Sequence, residues 1–359
     1  MMERQFDLAI IGAGMIGSSA AWLAKQRHPE WRIVLLDRSL AGYGASLYAA
    51  SLEIPFGHTP LRRDLVRRSQ RIFGEFQQVL PGLPRCEIAV EGLVEAADVE
   101  KLLSGFLDGN ESHRARPEDE ADLLRRYSGL IIPPRQVYLK GWVGSRAFRN
   151  EIAPQIAYAF SQKVGASLRQ GTAVLDVVLE AERFVLSLSQ GEKVQAQRVL
   201  IATGPWAMPG RIGEAARDAG IRIKKVAAFH LNKCPKPNAS NLHFFSDDAF
   251  LLPQPEVGRW LMSFRSNEWD VNPRSEKMII SQADLAVATA ILEKYMPTWI
   301  PHIQGGQVFC DAYTSTGDPI GKRVTGWPGC VIAGAASGSG FRLGPGIAEM
   351  ALELLETNN

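Results

Sequence analysis

The clearest hydrophobic pattern lies near the N-terminus, where two short apolar runs flank a helical segment. Residues 6–11 (FDLAII) and 31–37 (WRIVLLD) have the length and composition of buried strands. Between them, residues 18–28 (SSAAWLAKQRH) are typical of a helix, which Pro29 ends. A strand, a helix and a second strand in this order predict a βαβ unit with parallel strands.

This regular alternation does not continue along the chain, although helical and strand-like segments do. Residues 61–80 have apolar positions at helical spacing, and residues 117–127 begin with acidic residues that favour a helix N-terminus. Residues 183–204 predict a hairpin, because two alternating segments flank a Gln-Gly dipeptide. A further helix is predicted over residues 282–296.

The first predicted strand ends directly in Gly12-Ala13-Gly14-Met15-Ile16-Gly17, and the second ends in Asp37. In a strand–GxGxxG–helix unit, the first glycine makes the tight turn and the second lets a pyrophosphate reach the backbone. The third glycine allows close helix–strand packing, and the helix N-terminus attracts the phosphates. Asp37 can accept hydrogen bonds from ribose hydroxyls. The unit therefore predicts a bound dinucleotide but leaves NAD and FAD open.

The length of 359 residues exceeds the usual size of one hydrophobic core, so we expect two lobes. The predicted fold class is α/β, with a discontinuous Rossmann-like dinucleotide-binding lobe. The second lobe is predicted to contain a mainly antiparallel sheet with flanking helices. We expect the first lobe to comprise residues 1–50, 140–215 and 305–359, and the second to comprise residues 51–139 and 216–304.

Charge and composition disfavour several classes of partner. Lys and Arg total 40 against 38 Asp and Glu, which gives no electrostatic reason to expect nucleic acid or an anionic membrane. The basic segment at residues 62–68 (RRDLVRR) is predicted to be a solvated helix face. The four cysteines and six histidines are scattered, so no disulfide framework or metal site is expected. No signal peptide or bilayer-spanning stretch is recognised, so a cytoplasmic protein is expected.

Four blocks together resemble the FAD-dependent D-amino-acid oxidase family, of which glycine oxidase and monomeric sarcosine oxidase are members. The blocks are residues 10–24 with Asp37, residues 42–46 (GYGAS), residues 199–207 (VLIATGPWA) and residues 314–350. The last block is the most specific, because that family has a DGxPxIG-like turn, a strand and a glycine-rich loop against the flavin. The resemblance therefore favours FAD over NAD.

The resemblance implies that one extended cofactor touches both glycine-rich ends of the chain. Its pyrophosphate would lie at the first turn and its flavin ring at the last loop. The implied reaction is hydride transfer from the carbon next to an amine to flavin N5, which gives an imine that water hydrolyses. The substrate would be a small amino acid or an N-substituted glycine, and O2 or another acceptor would take the electrons. The cofactor-binding residues expected from the turn and the resemblance are Gly12, Gly14, Met15, Ile16, Gly17, Asp37, Arg38, Gly44, Ala45, Ser46, Val174, Thr203, Gly204, Trp206, Gly338, Ser339, Gly340, Phe341 and Arg342.

The candidate catalytic residues, Arg342, Tyr48 and Asp311, stand where the sequence departs from the family. Members usually hold the substrate carboxylate with a cation, one common place being just before the DGxPxIG-like turn, where this chain has Asp311. Sarcosine oxidases instead use a lysine after GxGF, and Arg342 matches it, so Arg342 is predicted to be the carboxylate anchor. The alternative is a surface arginine or an ion pair with Asp311. Tyr48 is either part of the active site or structural.

Two further questions concern how the cofactor is attached and which class of protein the chain represents. Some sarcosine oxidases bind flavin through a cysteine, but Cys310 aligns one residue early, which turns a strand side chain to the other face, so non-covalent FAD is expected. The rival classes are an FAD-dependent hydroxylase, a non-catalytic FAD-binding subunit and an NAD-dependent dehydrogenase. The final glycine-rich block argues against the first and the last.

Overall fold

The computed structural model of the protein describes residues 4–83, 85–107, 113–147, 151–274 and 278–357. The strands are β1 (Arg4–Ile11), β2 (Ile33–Leu36), β3 (Leu52–Glu53), β4 (Arg85–Glu95), β5 (His113–Arg114), β6 (Gln136–Ala147), β7 (Ala166–Arg169), β8 (Val174–Glu180), β9 (Arg183–Leu188), β10 (Lys193–Ile201), β11 (Arg222–Leu231), β12 (Asn241–Phe244), β13 (Ala249–Gln254), β14 (Arg259–Ser263), β15 (Ile303–Tyr313), β16 (Ile320–Val324) and β17 (Trp327–Gly334). The α-helices are α1 (Met15–Arg27), α2 (Ala45–Tyr48), α3 (Pro60–Val79), α4 (Val99–Leu103), α5 (Pro117–Arg126), α6 (Ile152–Ser161), α7 (Gly210–Asp218), α8 (Gln282–Tyr295) and α9 (Gly340–Glu356). Within the described ranges, no helix has the length and apolar character needed to cross a membrane.

The first sheet contains the predicted βαβ unit and has the order β16-β17-β10-β1-β2-β7. β1 pairs in parallel with both β2 and β10, and β10 pairs in parallel with β17. Strand β2 is apolar and buried at every residue, as expected of a parallel strand that is covered on both faces. The predicted hairpin is confirmed as β9 and β10, which pair antiparallel, and β10 joins this hairpin to the sheet through β1 and β17.

The second sheet has the order β15-β11-β14-β13-β12-β4-β6-β3, and its pairs are antiparallel except for β12 with β4. Its core contains Phe244, Trp260 and Tyr295, and α8 packs there. An α/β protein with two sheets, the second mainly antiparallel, is therefore confirmed, as is each of the helices predicted over 61–80, 117–127 and 282–296.

The sheets divide the chain differently from the predicted ranges at three places. Strand β6 pairs along its length with β4, so residues 140–147 lie in the second sheet rather than in the first lobe. Strand β15 pairs with β11, so residues 305–313 also belong to the second sheet. Helix α3 lies within the predicted second lobe, yet its buried residues Leu65 and Phe73 share a core with α1 and α9. Strand and helix partners far apart in sequence cause all three differences.

Candidate functional site

A cavity of about 1500 Å³ runs between the two sheets. Its wall includes the first glycine turn, the end of β2, the loop before α2 and the segment that joins β17 to α9. On the other side it is lined by residues of the second sheet, among them Lys224 and Phe309, and by Phe245 in the turn after β12. Its volume exceeds the ~300–1000 Å³ of pockets that hold one small ligand, so it has room for a dinucleotide and a second molecule.

In the first glycine turn, Gly12 and Gly17 lie too close to neighbouring backbone atoms to carry a side chain. A Cβ atom on Gly17 would lie 1.8 Å from the carbonyl oxygen of Gly12, and one on Gly12 would lie 2.4 Å from that of Ala202. Gly12 also has a positive φ of 100°. A Cβ on Gly14 would meet only the Ser46 hydroxyl, at 3.2 Å, and Gly14 lines the cavity. The turn is therefore closely packed at Gly12 and Gly17 and open to the cavity at Gly14, as a pyrophosphate-binding GxGxxG turn requires.

Side chains from two predicted positions hold this turn. Asp37 accepts hydrogen bonds from the Ala13 amide (2.7 Å) and, with its other oxygen, from the Ser39 amide (2.8 Å). Each carboxylate oxygen has a further lone pair, so Asp37 can still accept a ribose hydroxyl. Ser46 accepts a hydrogen bond from the Met15 amide at 3.0 Å, at the start of α1. The predicted Gly44–Ser46 segment thus lies against the helix N-terminus.

Trp206 connects the remaining predicted residues at this end of the cavity. The Arg38 guanidinium lies 4.4 Å from the centre of a Trp206 ring, and a Cβ on Gly44 would lie 3.0 Å from the same side chain. The indole Nε1 is buried and has no hydrogen-bond partner in the described residues. Val174, Thr203 and Gly204 line the cavity here. An unpaired donor beside an open cavity fits a bound polar ligand.

The segment between β17 and α9, residues 335–339, is called here the final loop. Ala335 and Ser337 have positive φ values of 51° and 52°, which side chains other than glycine rarely adopt. Asp311 holds the loop from β15: one carboxylate oxygen accepts from the Gly338 amide (3.1 Å) and the other from the Ala312 amide (2.8 Å). Burial raises the pKa of Asp311 to about 6, although both hydrogen bonds oppose this shift.

Two arginines meet beside the final loop. Arg342, in the first turn of α9, and Arg62, in the first turn of α3, both donate to the Ser339 hydroxyl, at 3.0 and 3.1 Å. Arg62 is 3% exposed and also donates to the carbonyl groups of Gly317 (2.8 Å) and Ala336 (3.2 Å). In the described part of the chain neither guanidinium forms an ion pair with a carboxylate. The pair therefore places two positive charges, together with the α9 N-terminus, at one wall of the cavity.

Burial and the neighbouring Arg62 lower the pKa of Arg342 to about 9, and Glu53 only partly opposes them. Arg342 also donates to the carbonyl groups of Phe56 (2.7 Å) and Ile54 (3.5 Å). Burial and Arg342 also lower the pKa of His243, which lines the cavity, to about 3. His243 is therefore neutral and adds no charge to that of the arginine pair. The site is suited to an anion.

The other candidate residues fall in different places. The Tyr48 ring stacks on Phe309, with the ring centres 5.5 Å apart, and lines the cavity. The ion pair between Arg342 and Asp311 does not form, because Asp311 binds backbone amides. Cys310 is buried, its sulfur lies 3.6 Å from that of Met278, and it is not among the lining residues. Because neighbouring strand residues point to opposite faces, Asp311 lines the cavity and Cys310 does not.

Two residues were missed by sequence reasoning. The prediction of a solvated face for residues 62–68 was wrong for Arg62, which is buried. Its position was a usable signal, because Arg62, Leu65, Ser69 and Phe73 follow one another at helical spacing on the buried side of α3. Lys224, on β11, also lines the cavity and is buried. Nothing in the local sequence around Lys224 distinguishes it from a surface lysine.

Comparison with known proteins places the whole chain in one group. Residues 7–354 match the family model described as "FAD dependent oxidoreductase". A Caenorhabditis elegans protein named "Putative sarcosine oxidase" is 22% identical over 389 residues, which cover 98% of this chain and 94% of that protein.

Solved structures of low sequence identity share the fold. Glycine oxidase from Geobacillus kaustophilus superposes with a TM-score of 0.79 at 18% identity, over 99% of this chain and 96% of that one. L-proline dehydrogenase from P. horikoshii gives 0.80 at 16% identity, over 99% and 94%. L-alpha-glycerophosphate oxidase from Mycoplasma pneumoniae, solved with FAD bound, gives 0.77 at 14% identity, over 99% and 96%. At these identities the likeness concerns the fold.

Proposed function

The chain belongs to the family of FAD-dependent oxidoreductases, and from this premise we propose that it oxidises the C–N bond of a small amino acid or an N-substituted glycine. The product would be an imine, which water hydrolyses. When bound, FAD supplies the hydride acceptor. The glycine turn at Gly12–Gly17 and Asp37 would hold its pyrophosphate and ribose, and Trp206 would donate to its polar part. The final loop and the first turn of α9 would face its ring.

The observation that carries this proposal is the position of Arg342. Its guanidinium lines the cavity, is partly buried and has no carboxylate partner in the described residues. A partly buried cation without a counter-ion is unfavourable, and a substrate carboxylate would relieve that cost through a charge-assisted hydrogen bond. Arg62 and the α9 N-terminus add to the positive potential. An amino acid or an N-substituted glycine supplies the required carboxylate.

The names of two structural relatives, glycine oxidase and L-proline dehydrogenase, support an amine substrate. A third relative with the same fold is named L-alpha-glycerophosphate oxidase, and that name indicates a substrate that carries a phosphate. A phosphate could also bind two arginines, so glycerol phosphate belongs in the test as a competing substrate. The side chains of Tyr48, Phe245 and Phe309 would exclude water from the reacting carbon.

The experiment is anaerobic bleaching of the flavin in the purified holoenzyme. Glycine, sarcosine, proline, D-amino acids, N-carboxymethyl amines and glycerol phosphate are mixed with the enzyme, and absorbance near ~450 nm is followed. We expect bleaching by at least one amino acid or N-substituted glycine. Bleaching by glycerol phosphate alone would refute the proposal, as would bleaching that requires NADPH, which a hydroxylase consumes. A flavin that no compound bleaches would support a non-catalytic subunit.

A further inference from the structure

A second buried cation lines the cavity, on the side of the second sheet. Lys224 is 4% exposed, and its ammonium lies 5.0 Å from the ring centres of both Trp269 and Tyr313. In the part of the chain that the structure describes, no carboxylate or other hydrogen-bond acceptor pairs with it. Burial lowers the pKa of Lys224, and Arg265 lowers it further. A buried ammonium without an acceptor is unfavourable, so a partner is expected from outside the chain.

The charges around Lys224 leave this region positive. Arg265 is exposed to the cavity and carries the same charge, whereas Asp248 opposes both. Asp311 lies opposite Lys224 in the strand register, but its oxygens bind the amides of Gly338 and Ala312. Arg222, whose guanidinium also lies over the Trp269 ring, is paired with Asp270. Among the described residues, the carboxylate whose charge acts on both cations is Asp248.

Tyr313 joins this region to the arginine pair. Its ring contacts the Lys224 ammonium, and its hydroxyl lies 3.1 Å from the place of a Cβ on Gly338, in the final loop. Ser339, the next residue, accepts the hydrogen bond of Arg342. One continuous cavity thus contains both Arg342 and Lys224, which are connected by contacts through Tyr313 and the final loop. A substrate that extends past Tyr313 would meet a cation at both ends.

We propose that Lys224, with Arg265 beside it, binds a second anionic group of the substrate, so that the preferred substrates are amines with an acidic group at each end. This inference rests on the proposed function, because Arg342 takes the first carboxylate there. A site built around a buried charge discriminates strongly against a ligand that leaves the charge unpaired. Neutral N-alkyl glycines of the same length would therefore bind more weakly than their acidic counterparts.

The first measurement is equilibrium binding, which does not require turnover. Succinate, glutarate and adipate, and the monocarboxylates of the same length, are titrated into the holoenzyme while the flavin spectrum is followed. We expect at least one dicarboxylate to bind about 10-fold or more tightly than its monocarboxylate. Lys224→Met should reduce this preference to within about 2-fold while monocarboxylate affinity stays unchanged. Lys233→Met is the matched control, because Lys233 also lies over a ring, at 5.4 Å from Trp299, but outside the cavity lining.

The second measurement compares achiral amines as reductants of the flavin. N-(2-carboxyethyl)glycine should bleach it with a lower half-saturating concentration than N-propylglycine, and Lys224→Met should remove the difference. If Lys224→Met does not fold, Arg265→Met should weaken the same preference. No preference in the unchanged protein, or a preference that Lys224→Met retains, would overturn the inference. So would an equal loss of all ligands, which would place Lys224 at the cofactor. Selective dicarboxylate binding without bleaching by any amine would refute the proposed function and leave the anion site standing.

Discussion

The two glycine-rich segments at the ends of the chain reach the same cavity by different physical means. The first turn depends mainly on close backbone contacts, because Gly12 and Gly17 allow approaches that any Cβ would block, and Asp37 and Ser46 bind two of its amides. The final loop places Ala335 and Ser337 in left-handed conformations, which glycine would adopt at a lower cost in free energy. Arg62, Asp311 and Arg342 hold that loop from three different elements. The first segment therefore depends on residues within the first 50 of the chain, together with the backbone of Ala202, and the second depends on side chains from distant elements.

The largest effect should come from a single methyl group in the first turn. In Gly17→Ala the new Cβ would lie 1.8 Å from the Gly12 carbonyl oxygen, so α1 must move away from β1. We expect the purified variant to retain no measurable flavin, judged from the ratio of visible to ultraviolet absorbance. Gly74→Ala is the control, since nothing lies near its Cβ and alanine favours a helix by up to about 1 kcal/mol. Full flavin content in Gly17→Ala would contradict this account of the turn.

The next effect separates substrate binding from loop support. Arg342→Ala should raise KM about 10- to 100-fold for the best substrate, which corresponds to about 1.4–2.8 kcal/mol, the range expected of a hydrogen bond to a charged group. Arg342→Lys should raise it less, because it keeps a positive charge. Arg125→Ala, at an exposed pair with Asp122, is the control. Steady-state kinetics with unchanged KM in Arg342→Ala would remove Arg342 as the anchor.

The neighbouring arginine should affect stability instead. Arg62→Met removes buried hydrogen bonds to Gly317, Ala336 and Ser339, and we expect the free energy of unfolding to fall by about 2–3 kcal/mol. Its effect on KM should be smaller than that of Arg342→Ala. Arg63→Met is the matched control, because Arg63 donates only to Gly57, at 3.2 Å, and should lose less than about 1 kcal/mol. Denaturant unfolding of both variants measures the difference, and equal losses would show that Arg62 does not hold the loop.

The smallest effect concerns the pH dependence of the final loop. The pKa of Asp311 is raised to about 6, so the folded state binds its proton more tightly than the unfolded chain does. Its contribution to stability is fully present below the unfolded pKa, near 3.8, and is lost as pH rises through about 6. Between pH 7 and pH 4 the Tm of the unchanged protein should therefore rise relative to that of Asp311→Asn. A Tm difference that is constant with pH would show that Asp311 does not titrate in this range.

The same contrast explains how much could be predicted from the sequence. The first turn, Asp37, Ser46 and the hairpin at β9 and β10 depend on residues close in sequence or on a strong spacing rule. The hairpin is present as predicted, and Asp37 and Ser46 bind amides of the first turn. Lys224 reaches the cavity through the pairing of β11 with β15, in which its partner is the distant Asp311. A strand does not reveal its partner, which is why β6 and β15 were assigned to the first lobe. The burial of Arg62 could have been predicted, because Arg62 lies at helical spacing from the other buried residues of α3.

The residues that line the cavity extend along the chain from Ile11 to Arg342. Strand β17, which leads into the final loop, pairs with β10, and β10 pairs with β1. A ribosome must therefore release the chain through Arg342 before both sides of the pocket exist. A nascent polypeptide whose first turn has already folded still lacks β17 and α9, so one wall of the cavity is missing. Loading of any ligand that needs both walls is a late event in biosynthesis, and a prematurely terminated chain would be left with exposed apolar strands for cellular quality control to recognise.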